Sequence, residues 1–248
     1  MQTKIPKIID GDFHEVINNA IKEKRHVDYL KNALKEYEEY KKFFEKVFIK
    51  KDKSSSTNIF RIDYLSKRPV WREIMISGNQ TLEDLAEAIV FSMDWENDHM
   101  HGFGFPKESG DKKFDFFTSP YTIYAPGWED DPYPTYKTNQ VKISQIDWNV
   151  YPKIQFVFDF GDGHLFNVVL KETMPSMDNV LEETFPQLID QRGVAPEQYP
   201  DLEDDKIEKE LESGNWFHED CKLCQDLKNQ GVELKWFPDH SPKNKSAN

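Results

Sequence analysis

The sequence predicts an α+β fold: a mixed or antiparallel sheet of about five strands packed on one main helix, flanked by N-terminal and C-terminal helices. Three observations predict it. At Ile59 the spacing of apolar residues changes from a helical period to strict alternation. A capped amphipathic helix begins at Thr81, shortly after two strand-like segments. Two alternating runs flank Gly161-Asp-Gly163, as a hairpin requires.

Composition bounds the rest. The chain has 248 residues, 38% hydrophobic and 14% aromatic, which is bulk enough for a core and excludes collagen-like or wholly disordered readings. Its 32 basic and 45 acidic side chains give a net charge of −13, which disfavours a bare phosphate backbone or an anionic lipid surface as partner. The charge is uneven. Residues 1–53 carry 13 basic and 10 acidic side chains, residues 54–175 carry 11 and 18, and residues 176–248 carry 8 and 17. Docking of a basic arm on an acidic body is one reading of this asymmetry, and nucleic-acid binding by the arm is another. Two cysteines do not make a disulfide scaffold. Residues 1–10 hold no apolar signal core, and no run reaches the ~18 apolar residues of a membrane span. A cytoplasmic protein without a membrane partner is therefore expected.

Three segments follow. Residues 1–53 read as a helical arm: Asp12 with Glu15 marks a helix start before Phe13, Val16, Ile17, Ala20 and Ile21. A second helix carries Leu30, Leu34, Tyr37, Phe44, Val47 and Phe48 on one side, and the stripe of Tyr37, Tyr40, Phe44 and Phe48 is read as core. Residues 50–58, with three consecutive serines, read as a linker. In the core, residues 54–175, Phe60, Ile62 and Tyr64 alternate with Arg61 and Asp63, and residues 70–76 form a second strand. Thr81 and Asp84 cap a helix that buries Leu82, Leu85, Ala86, Ile89, Val90 and Met93. Residues 98–105 read as a third strand, with His99, His101, Phe103 and Phe105 on one parity and Gly102 and Gly104 as weak points or a bulge. Residues 106–140 form a long loop in which only residues 121–124 look extended. Ile154, Phe156, Phe158 and Phe160, then Phe166, Val168 and Leu170, build the hairpin. Residues 176–248 read as an acidic helical tail: Ser176 caps a stripe of Val180, Leu181, Thr184 and Phe185, Pro186 breaks it, Leu188 and Ile189 lie beyond, and a C-x-x-C follows.

Four ordered motifs stand in the core: Arg68-Pro-Val-Trp-Arg72, Thr81-Leu-Glu-Asp-Leu85, Trp95-Glu-Asn-Asp-His99-Met-His101 and Phe158-Asp-Phe-Gly-Asp162. Together they resemble the plasmid pRiA ORF-three-like family over about residues 59–172. The resemblance implies an α+β domain whose sheet packs one face on the Thr81 helix. It implies little about activity, because the family is broadly uncharacterised and sometimes labelled by association with mobile elements. The chain departs from the family pattern after the Phe-Gly-Asp turn, where His164 and Phe166 stand in place of a Trp and a His. Arg192-Gly-Val-Ala-Pro-Glu197 resembles a degenerate form of a family tail motif.

Two constellations invite chemistry. On a strand, His99 and His101 would project from one face about 7 Å apart, a spacing that suits two ligands of one metal ion. Asp98, Asp159 and Asp162 complete a candidate polar cluster. The simpler reading is that these groups hydrogen-bond to one another and to loop backbone. Asp162, between two glycines, has a sufficient role in the turn. The second constellation is Cys221 and Cys224 with His218, read first as unliganded thiols, then as a structural zinc site whose fourth ligand is His240, a carboxylate or a partner chain because a second C-x-x-C is missing, and least as a redox pair. Trp128, Tyr133, Tyr136 and Trp148, around the acidic run Glu129-Asp-Asp131, either line a partner groove or cover the sheet.

The chain contains no G-x-S-x-G elbow, H-E-x-x-H helix, phosphate-cradling glycine loop or kinase signature. A binding or protein-interaction module is therefore the first expectation, with enzymatic activity open. The alternatives are a metal-dependent hydrolase-like enzyme using His99, His101 and Asp159, and an accessory factor in mobile-element DNA transactions, which the acidic core disfavours.

Overall fold

The computed structural model describes residues 6–49, 56–66, 69–111, 113–129, 131–175 and 185–199. The chain divides into two units, Met1–Pro196 and Glu197–Asn248. The architecture below is that of the first. His218, Cys221, Cys224, His240 and the helical stripe expected at residues 180–184 lie outside the described residues.

Alternation dictates a sheet, and the sheet organises everything else. Its strands are β1 (Ser56–Tyr64), β2 (Val70–Ser77), β3 (His101–Gly104), β4 (Thr122–Tyr124), β5 (Lys153–Phe158), β6 (His164–Pro175) and β7 (Gln187–Arg192). They lie in the order β4-β3-β5-β6-β1-β2-β7, and each adjacent pair is antiparallel. The sheet thus has seven strands, where the sequence predicts about five. One addition, β4, is the short extended stretch inside the long loop. The other, β7, holds Leu188 and Ile189, which the sequence places beyond a break in a helical tail. Leu188 pairs with Ile74 and Gln187 with Met75. Most of β7 is solvent-exposed at the sheet edge, so it carries no inward-outward alternation to read, and pairing with β2 decides its conformation. β1 also starts at Ser56, inside the segment expected to be linker.

The main helix, α3 (Leu82–Ser92), forms where its capping pattern directs. The Thr81 side chain accepts from the Asp84 amide at 3.2 Å, and the Asp84 carboxylate accepts from the Thr81 amide at 2.6 Å. Leu82, Leu85, Ala86, Ile89 and Val90 are buried in one cluster with Phe60, Ile62, Ile74, Phe156, Phe158 and Phe166 of the strands. Each such large apolar side chain contributes roughly 1.5–3 kcal/mol on burial. Arg72 secures the far end of α3. Its guanidinium is buried and donates to the carbonyl of Ser92 at 2.7 Å and to those of Arg192 and Gly193 at 3.3 Å each. A cation on helix-terminal carbonyls is electrostatically favoured. Trp95 donates its indole N–H to the Pro196 carbonyl at 2.8 Å, so two motif residues fasten the segment that follows β7.

The N-terminal arm supplies α1 (Phe13–Lys22) and α2 (Val27–Val47), which share the first unit with the sheet. Aromatic packing seats α2. Phe43 stacks on Tyr121 with centroids 3.8 Å apart, Phe44 meets Phe105 edge-on, and the Tyr40 hydroxyl donates to the Thr122 carbonyl while accepting from the Tyr136 amide. The stripe of Tyr37, Tyr40, Phe44 and Phe48 is buried, as expected of core.

On the opposite face of β3 the glycines make room. A Cβ on Gly104 would stand 2.7 Å from the Phe116 ring and one on Gly102 would stand 3.0 Å from Tyr124. These positions are small because Phe116, on the 3-10 turn Phe116–Thr118, lies against the strand. The long loop is thereby tied to the sheet.

Candidate functional site

The polar cluster expected from the sequence separates into two. β3 begins at His101, so His99 lies before the strand on a bend and does not share its parity. The two side chains have opposite environments: that of His99 is 42% exposed and that of His101 is 4% exposed. His99 Nδ1 is 2.9 Å from Asp98 Oδ1, while Nε2 is 3.6 Å from Asp159 Oδ2. The carboxylates therefore address opposite ring nitrogens, a geometry unsuited to sharing one ion. The hydrogen bond with Asp98 raises the His99 imidazole above its ordinary value. Burial opposes this, and the charges of Asp159, Asp98 and Asp162 reinforce it.

Asp159 is committed to the hairpin turn. Its φ is +54°, in the left-handed region, and Oδ1 accepts from the amides of Gly161 at 2.8 Å and Asp162 at 3.3 Å. Asp residues tolerate that backbone region better than most side chains. Asp162 joins this site through its amide and its charge.

His101 faces the start of α3. Its Nε2 is 3.3 Å from Glu83 Oε2, and the same carboxylate oxygen accepts from the Thr138 hydroxyl on the 3-10 turn Thr138–Gln140. Burial pushes Glu83 up, but the hydrogen bonds from His101 and Thr138 outweigh it, so its carboxyl lies below the ordinary value. Glu87 is displaced the other way, by burial and then by the charges of Glu83 and Asp84. Across the sheet, His101 and His164 are both in register with Phe158. His164 is buried, with Nδ1 3.2 Å from the Tyr64 hydroxyl and its ring 4.4 Å from Trp95. Phe166, where the family pattern carries a His, is fully buried among the strand aromatics. Among the described residues, no group of three or more His, Cys, Asp or Glu side chains is arranged to hold a metal ion.

A cavity of about 380 Å³ opens elsewhere, between the start of α1 and the loop 128–137. Phe13, Trp128, Glu129, Asp131, Tyr133 and Lys137 are in its lining, and neither His99 nor His101 is. Trp128 stacks on Tyr124 with centroids 4.7 Å apart and packs on Phe160 at 4.8 Å. The Lys137 ammonium donates to the Trp128 carbonyl at 2.6 Å and to Thr135 Oγ1 at 3.3 Å. Burial lowers the Lys137 ammonium, while Asp131 and Glu129 act to raise it. Of the four aromatics singled out by sequence, Trp128 and Tyr133 line this space, whereas Tyr136 and Trp148 are buried in the core. Phe13 carries no sequence signal for this role, because only the fold brings α1 to the loop, and Lys137, although close in sequence, stands outside the aromatic and acidic run. Glu83 had one overlooked signal: it lies in the first turn of a helix, where a carboxylate is favoured.

The fold and these sites define an α+β protein built on a seven-stranded antiparallel sheet, with its polar motifs at strand and helix ends. The family model of the plasmid pRiA4b ORF-3-like protein matches residues 61–202, and the chain belongs to that family. A crystal structure of a protein of unknown function from Methanosarcina mazei Go1 is similar, at 21% identity over 74% of this chain and 94% of that one, with a TM-score of 0.47. A comparison with curated proteins finds no match. Among the described residues, no helix is long and apolar enough to cross a membrane.

Proposed function

We propose that the protein is a cytoplasmic binding module for a protein partner, and that the cavity between α1 and the loop 128–137 is where the partner is engaged. The observation that carries this reading is the cavity itself. Three aromatic side chains from two distant parts of the sequence, Phe13 on one side and Trp128 with Tyr133 on the other, border about 380 Å³ of space, within the ~300–1,000 Å³ that ligand pockets occupy. The histidine clusters support the same reading by contrast. Their hydrogen bonds run to neighbouring carboxylates and hydroxyls, and those of His101 and His164 each join two elements of the fold. A zinc ion on His218, Cys221, Cys224 and His240 would add a structural cross-link in the tail and would not change this assignment.

Selection from a random peptide library tests the reading. The full chain serves as bait, with counter-selection on Trp128→Ala and Tyr133→Ala variants whose thermal unfolding stays cooperative. Selected peptides are expected to bind the unmodified chain at least tenfold more tightly than either variant, about 1.4 kcal/mol. Peptides that bind all three proteins equally would remove the cavity from the function.

A further inference from the structure

We infer that the cavity receives a basic side chain, lysine or arginine, presented by a peptide segment of the partner. This rests on the cavity being the binding site. Three independent features of the lining point to the ligand.

The first is the kind of wall. Phe13, Trp128 and Tyr133 are all aromatic, and aromatic faces attract cations through their quadrupoles, most strongly when water is excluded. The second is charge. Glu129 and Asp131 face a single lysine in the lining, a formal balance of −1. Lys137 directs its hydrogen bonds to two uncharged oxygens, those of the Trp128 carbonyl and the Thr135 hydroxyl. Additional negative charge surrounds the site. The Tyr37 hydroxyl donates to Asp10 at 3.0 Å next to α1, and the Tyr133 phenol is pushed up to about 12 by burial, then by Asp131 and Glu36.

The third feature separates a peptide from a bare amine. The Trp128 indole N–H is buried and has no hydrogen-bond partner among the described residues. An indole N–H only donates, and an unmet buried donor is costly, so an occupant seated against Trp128 gains if it brings an acceptor within reach of that edge. Ammonium and guanidinium groups have none. A peptide carries its basic side chain beside backbone carbonyls, and so supplies a cation for the aromatic walls and carboxylates together with an acceptor for Trp128. The cavity volume, at the lower end of the range for ligand sites, suits one side chain with its adjoining backbone.

The experiment is an NMR titration of the full chain, following the Trp128 indole N–H. The probes are capped Gly-Lys-Gly and Gly-Arg-Gly, the neutral analogue Gly-norleucine-Gly, and n-butylammonium. At least one basic peptide is expected to shift the indole signal saturably. Norleucine peptide and butylammonium should each bind at least tenfold more weakly. The Glu129→Gln/Asp131→Asn double variant should weaken the basic peptide about tenfold and leave the norleucine peptide unchanged, because the amides keep the shape and remove the charge. Raising salt should weaken the basic peptides and leave the norleucine peptide unchanged. If norleucine binds as well as lysine and arginine, the cationic ligand is refuted while the binding site stands. If butylammonium matches the peptides, the peptide source is refuted. No shift at about 10 mM of either basic peptide, enough to detect millimolar binding, refutes the inference. Library-selected peptides that bind without disturbing Trp128 or Tyr133 would refute the site itself.

Discussion

At the hairpin between β5 and β6, the Asp159 carboxylate turns back onto the amides of its own turn and His99 sits between two carboxylates. Around residues 128–129 and 131–137, carboxylates and aromatic rings stand about an open space, with Trp128 fixed from behind by Tyr124 and Phe160. The two regions share carboxylates but differ in what surrounds them, histidine and turn amides in the first and aromatic rings in the second. Polar motifs that satisfy one another stabilise the fold. Groups held rigid by their neighbours, with space in front of them, remain available to a ligand. Density of histidine and aspartate in a motif is thus a poor guide to where open space lies in this chain.

Substitutions can break or sharpen that contrast. The largest effect is expected from Asp159→Ala, which removes the acceptor for two turn amides and places a less tolerant residue in the left-handed region. Urea denaturation should show a loss of roughly 2–3 kcal/mol, with affinity for selected peptides unchanged. A large loss of binding there would erase the distinction. Gly104→Ala forces the Phe116 ring away from β3 and should cost roughly 1–2 kcal/mol in the same assay. Phe160→Ala probes the junction between the regions, since this ring touches both Phe116 and Trp128 without being part of the cavity lining. It should weaken peptide binding about fivefold, near 1 kcal/mol, by loosening the Trp128 wall.

The pH dependence of stability should be smaller still. The folded chain holds the His99 proton more tightly than the unfolded chain does. The resulting stability is complete below the ordinary imidazole value, ~6.5, and is lost as pH rises through the raised folded value. Solvent screens the half-exposed side chain, so His99→Gln should flatten this slope by a small margin in denaturation curves recorded across that window. Smallest of all, the Glu129→Gln/Asp131→Asn variant should unfold within about 0.5 kcal/mol of the unmodified chain, whatever it does to binding.

How far the molecule could be read in advance follows from the range of each signal. The cap at Thr81 and the stripe through Leu85 and Ile89 are local, and α3 forms where they put it. Phe156 and Phe166 announce a hairpin because their alternation surrounds its turn. β7 was hidden, since Leu188 and Ile189 are exposed and owe their conformation to a partner strand more than a hundred residues earlier. The histidine pair misled for a related reason: parity holds only within a strand, and β3 starts after His99. The cavity was half legible. Trp128, Tyr133, Glu129 and Asp131 cluster in sequence, with Lys137 close behind them, whereas Phe13 reaches the cavity only through the tertiary fold.

The strand order also bears on how the chain assembles as it leaves the ribosome. β1 and β2 can pair with each other early, but β1's other neighbour, β6, is synthesised only after α3, the long loop and β5 have emerged. Until then a nine-residue edge waits uncovered in the middle of the future sheet. Formation of the central seam is a late, long-range event, and nascent chains halted before residue 164 should be the species most prone to clump and most dependent on chaperones.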